Sequence, residues 1–383
     1  MVRTARQDVP TILLIGVGDL TVRLAHILAA APTEFSLVVA SRSIERATRY
    51  ANLVKLAAFN FGHRRKVDPL ALNLQNIDAT AHELAKIKPD LIFMGASIQA
   101  ARTIMDLPLD MFRELDEAQL GPWLPMHVTL NYELMRAVRA GGITSTVVNG
   151  AYPDAVGPVL AAVGLAPDIG IGNVGNIVPG ITHAAARSID SDPCDLTVRL
   201  VAHHYFSHHV HRFGEADRIP HHLEVIGTGG PAHVTPDALY PMLADIFRRQ
   251  GGKDGQQLTA TSASRVVLGL LGDGMQQAHA PGPGGLPGGY PVLLGGRKIA
   301  LDLPVGMDVE EAVAINRRCQ TFDGIEDILP DATVVFSEPQ MAVMKKQLGY
   351  SVRSLGIDDM RPAAEELARR YSEYTSRRIS VDA

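Results

Sequence analysis

Two kinds of stretch alternate along the first 150 residues. Thr11-Ile12-Leu13-Leu14-Ile15 is a short apolar run, and Val22, Leu24, Ala25, Ile27 and Leu28 then recur at helical spacing. Phe35 to Ala40 and Pro89-Asp90-Leu91-Ile92-Phe93-Met94-Gly95-Ala96 repeat the first kind. Residues 45–58, Ala79 to Lys86 and His127 to Arg139 repeat the second. Continuous apolar runs are what a parallel sheet covered on both faces requires. Leu70, Leu72 and Leu74 alternate as a short strand, and Ile143 to Val148 is a further strand. The pattern predicts an α/β fold, a Rossmann-type doubly wound parallel sheet over residues 1–160. Ser97 to Leu120 lacks clean periodicity and reads as a lid over a site or as a surface excursion.

The second half changes character and predicts a mixed α+β domain over 161–383 with a C-terminal helical extension. A glycine- and asparagine-rich stretch, Gly170 to Ile177, leads into a helix from Ile181 to Ile189. Leu196 to Ala202 and Leu223 to Ile226 read as strands, and 238–249 and 260–272 as helices. Pro291 to Leu294 and Lys298 to Leu303, separated by Gly295-Gly296, give a hairpin signal. The Pro/Gly tract 280–290 therefore stays inside the domain. Asp308 to Arg318 and Pro362 to Tyr374 are helical.

The first strand leads into Gly16-Val17-Gly18-Asp19-Leu20-Thr21. In a strand–turn–helix unit, Gly16 permits the tight turn and Gly18 lets a pyrophosphate approach the amides at the helix start. Thr21 occupies the third small position, so the fingerprint is imperfect and a packing-only turn is the rival. Gly95 and Ala96 end the strand beside it. The second strand ends at Ser41-Arg42-Ser43, with no carboxylate before Glu45. Two hydroxyls and a planar cation suit a 2′-phosphate, so NADP(H) is the expected cofactor, with NAD(H) also accepted. A solvated turn arginine is the plainer reading of Arg42.

A formal charge of -5 gives no basis for a nucleic-acid partner. The two cysteines, Cys194 and Cys319, have neither disulfide-framework nor metal-ligand spacing. Met1 to Pro10 lacks the apolar core of a secretion signal, and no run is long enough to span a bilayer. A cytoplasmic protein without membrane partners is expected.

Seven of the 14 histidines fall between 203 and 222. In an extended stretch His209 and His211 would share a face, yet no recognised metal-ligand spacing accompanies them, and no metal is expected. A structural or surface role stays open. So does one histidine serving as proton donor and acceptor for a carbonyl/alcohol pair.

Five blocks in order resemble the lactate/malate dehydrogenase superfamily over roughly residues 11 to 325: the GVGDLT turn, LNYELMRAV, VVNGAYPDAV, VAHHYFSHHV, and GLPGGYPVLLGGRKIALDLPVGMDVEEA. The resemblance implies His204 as the acid/base, with His208 as its rival. It implies Asn131 as a substrate or ribose contact, Asn149 on the cofactor side, and Thr261 or Ser262 in the substrate pocket. The family pairs its histidine with an Asp-x-x-Arg helix. The matching stretch here, Gly175-Asn176-Ile177-Val178-Pro179-Gly180, has neither residue. The departure predicts a weakened base unless Asn173 or Asn176 fixes the tautomer, and Arg102 is the candidate to compensate for the arginine. Asn176 is a further substrate-binding candidate. The implied activity is hydride transfer between NADP(H) and a small hydroxy or keto acid-like substrate, in a dimer or tetramer. Two alternatives remain: an opine- or saccharopine-like dehydrogenase for amino or imino compounds, and an inactive cofactor-binding sensor or scaffold.

Overall fold

The computed structural model describes residues 9–379; the leader reading of Met1 to Pro10 falls largely outside the described residues. Six parallel strands form the first sheet: β1 (Thr11–Ile15), β2 (Ser36–Ser41), β3 (Val67–Ala71), β4 (Leu91–Met94), β5 (Thr146–Asn149) and β6 (Ile169–Gly170). Their order is β3-β2-β1-β4-β5-β6. This is a Rossmann-type doubly wound sheet. It extends past β5, because the short β6 pairs with Val148 and Asn149. β4 and β5 are buried along their whole length, as strands covered on both faces must be.

The helices α1 (Asp19–Ala30), α2 (Ile44–Asn60), α3 (Ile77–Ile87), α4 (Leu109–Asp116), α5 (Leu124–Ala140) and α6 (Pro153–Ala162) connect these strands. The segment without periodicity resolves into a 3-10 turn, Ala101–Asp106, followed by α4. Met111 and Leu115 anchor α4 in the core. Their spacing of four was too brief a signal to separate from chance.

The second half opens with α7 (Asn173–Ser188), which starts well before the expected Ile181 and carries Pro179 inside it. A largely antiparallel sheet follows, built from β7 (Thr197–Ala202), β8 (His221–Gly227), β9 (Gly230–Pro231), β10 (Gln276–Pro281), β11 (Gly289–Gly295) and β12 (Lys298–Leu301). β11 and β12 form the expected hairpin. α8 (His204–Phe213), α9 (Pro236–Ala244), α10 (Gly252–Leu271) and α11 (Val309–Gln320) complete this half. The histidine stretch is a helix, not an extended run. Phe206 and Val210, four apart, are both fully buried in the α7–α9 core, and that burial selects the helix. His209 and His211 therefore do not share a face.

The extension folds back on the first half. β13 (Ile325–Ile328), β14 (Val334–Phe336) and β15 (Ser354–Leu355) make a small sheet, with α12 (Glu338–Leu348) between β14 and β15 in the chain and α13 (Met360–Ile379) after β15. Phe336, Met344, Ala364 and Leu367 join one core with Leu13, Ile92 and Leu134 of the first half. Arg361 of α13 pairs with Glu133 of α5 across that seam. Among the described residues no helix is long and apolar enough to cross a membrane, and no group of three or more His, Cys, Asp or Glu is placed to hold a metal ion.

Candidate functional site

In such a sheet the ligand crevice opens outside the carboxyl ends of β1 and β4, where the strand order reverses. Gly16 leaves β1 at φ +94°, and a Cβ there would stand 3.0 Å from the Cβ and amide of Ala96. The Gly95 amide closes the turn on the Ile15 carbonyl at 3.0 Å. These positions are small because two strand-end turns touch. Thr21 is buried on α1 against Gly95, filling the third small position.

Gly18 differs. It precedes α1 with an extended backbone and no side-chain cap, and a Cβ on it would meet nothing within 4 Å. The protein itself does not require glycine there. The open cradle lies at the N-terminus of α1, formed by Val17, Gly18, Asp19 and Leu20, where amides and helix dipole favour an anion. The Asp19 carboxylate pairs with Arg23 at 3.1 Å.

At the end of β2, Ser43 caps α2 by accepting from the Arg46 amide at 3.2 Å, and its own amide donates to Ser41 Oγ at 3.4 Å. Arg42 is exposed. Arg46, which the sequence reading passed over, donates to the Val17 carbonyl at 3.2 Å. It brings a guanidinium to the glycine turn and lines, with Ser43, Arg49 and Tyr50, a cavity of about 440 Å³. No local pattern marked it, because the carbonyl it reaches lies 29 residues earlier in the chain.

His204 opens α8 directly after β7. Its Nδ1 lies 3.0 Å from Oδ2 of Asp323, which sits in the turn between α11 and β13. Asp323 is 1% exposed and His204 31%. The same Oδ2 accepts from the Tyr152 hydroxyl at 2.7 Å, and the Leu120 amide approaches Oδ1 at 3.4 Å. Burial opposes charge on Asp323, but His204, His203 and Tyr152 hold it well below the usual carboxylate range. Burial likewise pulls His204 down; the charge and hydrogen bond of Asp323, with the charge of Asp154, together outweigh it and raise the imidazole to about 8. The sequence reading expected no carboxylate beside this imidazole, and the structure places one there. Neither Asn173 nor Asn176 touches the imidazole, and the orienting carboxylate comes from 119 residues further on. Nothing in its local sequence, Phe322-Asp323-Gly324, marked it.

A second polar chain lies beside the first. Asp154 Oδ1 accepts from Asn173 Nδ2, which also reaches the Ala202 carbonyl, and Ser207 Oγ donates to Asn173 Oδ1 at 2.6 Å. Burial pushes Asp154 up to about 7, partly offset by His204. His208, the rival acid/base, stacks on His204 with ring centroids 6.1 Å apart. Burial, then the His204 charge, lowers it to about 4. Its Nε2 faces Arg212, which pairs with Asp116 of α4. His203 and His127 are buried and likewise lowered to about 4 by desolvation.

The other candidates fall in several places. Asn149 is closed on its own turn, accepting from the Ala151 amide at 2.8 Å and donating to its carbonyl. Asn131 is fully buried in α5 and donates to the His127 carbonyl. Asn176 and Ser262 are bonded to each other at 2.7 Å, with Thr259 as a third member. Thr261 and Ser262 line a cavity of about 520 Å³ with Cys194, His183 and Arg265; His204 is not among its lining residues. The side chain of Arg102 lies outside the described residues.

No family model matches the chain, and no curated protein matches it by sequence. Among solved structures, lactate dehydrogenase from Eimeria maxima with NADH and oxamate aligns with a TM-score of 0.52 at 14% identity, covering 83% of this chain and 92% of that one. The minor L-lactate dehydrogenase from Enterococcus mundtii, in a ligand-bound form, aligns with a TM-score of 0.50 at 14% identity, covering 82% and 96%. With its Rossmann sheet and second α+β half, the chain shares the fold of the lactate dehydrogenases.

Proposed function

We propose that the chain is an oxidoreductase that moves a hydride between NADP(H) and a small hydroxy or keto acid-like substrate, with His204 as the acid/base. One observation carries this reading: a buried carboxylate, Asp323, fixed 3.0 Å from Nδ1 of an imidazole that stays partly open to solvent. An ionised partner at Nδ1 keeps that nitrogen protonated. Nε2 is then the atom that gives a proton to a carbonyl oxygen or takes one from an alcohol. An imidazole raised to about 8 holds its proton at neutral pH, which suits carbonyl reduction.

The cradle over Gly18 fits a nicotinamide dinucleotide, with Gly16 to Thr21 holding the pyrophosphate and Ser41, Arg42, Ser43 and Arg46 meeting a 2′-phosphate. When bound, the cofactor supplies the hydride chemistry. Tighter binding of NADPH than NADH in parallel fluorescence titrations is the expected outcome; equal or tighter NADH binding removes the NADP(H) preference.

Asp154 favours a second reading. A second buried carboxyl within electrostatic reach of His204 suits a cationic nitrogen, as in amino or imino substrates. The test is His204→Gln against wild type, on panels of keto, hydroxy, amino and imino acids. Retained NADPH binding with turnover reduced at least ~100-fold supports the assignment. Unchanged turnover by His204→Gln overturns it. NADPH binding by the wild type with no turnover on any panel would leave the sensor or scaffold role instead.

A further inference from the structure

Tyr152 occupies an unusual backbone position for a bulky residue. It lies at φ 45°, ψ 55°, immediately before Pro153 and the start of α6. Left-handed geometry is disfavoured for a side chain of this size, and a following proline disfavours helical geometry further. The side chain of Asn149 braces this turn from both sides, bonding the amide and the carbonyl of Ala151. The strain places the phenol among three imidazoles, edge-on to His204, His127 and His203 at centroid distances of 5.7, 6.1 and 6.5 Å. Its hydroxyl donates to Oδ2 of Asp323, the same oxygen that faces His204 Nδ1.

Resting on the reading of His204 as the acid/base, we propose that Tyr152 is a positioning residue that sets the proton affinity of His204 by sharing Asp323 Oδ2 with it. A carboxylate oxygen with two donors offers less negative charge to each. The phenol therefore restrains how strongly Asp323 holds the imidazolium, and it fixes the carboxylate's orientation. The groups facing His204 are Asp323 from the turn after α11, Tyr152 and Asp154 from the β5–α6 region, His127 from α5, and His203 and His208 from its own segment. Of these, Tyr152 alone donates a hydrogen bond to Asp323 without itself titrating near neutrality.

The test reads the His204 imidazole by NMR titration of the full chain, assigned with His204→Gln. Tyr152→Phe removes one oxygen and keeps the ring, and it is expected to raise the His204 pKa by about half a pH unit. A site-specific 3,5-difluorotyrosine at 152, a stronger donor, is expected to lower it. Opposite signs from two nearly isosteric changes cannot come from packing alone. An unchanged or lowered pKa in Tyr152→Phe overturns the proposal. Should that variant fail to fold, an unchanged or raised pKa with difluorotyrosine does the same. Asp323→Asn is the separating control. If it leaves the His204 pKa at the wild-type value, the His204–Asp323 reading itself falls; if it lowers that pKa while Tyr152→Phe has no effect, only the role of Tyr152 falls.

Discussion

Replacing Asp323 with Asn removes one charge and keeps one oxygen, which can still accept from Tyr152 at the Oδ2 position or from the Leu120 amide at the Oδ1 position, but not from both. The environment that raises His204 from 6.5 to about 8 favours its charged form by about 2 kcal/mol. A folded-state pKa above the unfolded value contributes stability that is fully present below pH 6.5 and is lost as pH rises through 8. Without the Asp323 charge, burial dominates and pulls His204 below 6.5, so this contribution disappears and a small penalty replaces it at low pH. The stability gap between wild type and Asp323→Asn should therefore shrink by about 2 kcal/mol between pH 6 and pH 9. Subtracting the two proteins cancels every group that titrates alike in both; Asp154, which both His204 and Asp323 perturb, does not cancel and is removed by making the comparison also in an Asp154→Asn background. Urea unfolding can be followed by fluorescence of Trp123, the single tryptophan. It is buried beside the turn whose Leu120 amide faces Asp323. A gap that stays constant across this range would refute the claim that Asp323 is the charged partner of His204. In carbonyl reduction at pH 7.5, the same change would cut the protonated fraction from about three quarters to under about a tenth. Loss of the fixed tautomer would lower the rate further.

Gly18→Val places a side chain in open space on an extended backbone, so its thermal midpoint should match wild type while NADPH affinity drops at least ~10-fold. Unchanged titration with NADPH would show that the cradle is not the phosphate site. Arg42→Ala should weaken NADPH by about 1.5–3 kcal/mol and spare NADH, reflecting loss of charge-assisted bonds from an exposed side chain; an equal loss for both ligands would place this cation elsewhere than at a 2′-phosphate. Arg361→Met leaves the mostly buried Glu133 carboxylate without its partner and should cost about 2 kcal/mol in urea unfolding. Full recovery is not required of Glu133→Gln/Arg361→Met, but a double variant no better than the single one would show that the pair does not join the extension to α5.

The sequence by itself determined the class of the first half and its central strands, but not α4, the start of α7 or the edge strand β6. A buried parallel strand must be continuously apolar, as β1 and β4 are, and a βα turn that meets its neighbour must be small, as Gly16 is against Ala96. These are demands met by adjacent residues, so they leave a readable pattern. The helical state of the histidines was harder to read, because polar residues filled every position between Phe206 and Val210 and only burial of that pair in the α7–α9 core selected it. His204 itself was named only through the resemblance of the VAHHYFSHHV block to a known family. Its partner was not, because Asp323 meets it across 119 residues of chain and no periodicity links two such positions. The tertiary structure alone decided that Asp323, Tyr152 and His204 converge. A buried carboxylate is tolerated only where donors surround it, and those donors come from three separate parts of the chain that the packing of the fold brings to one point.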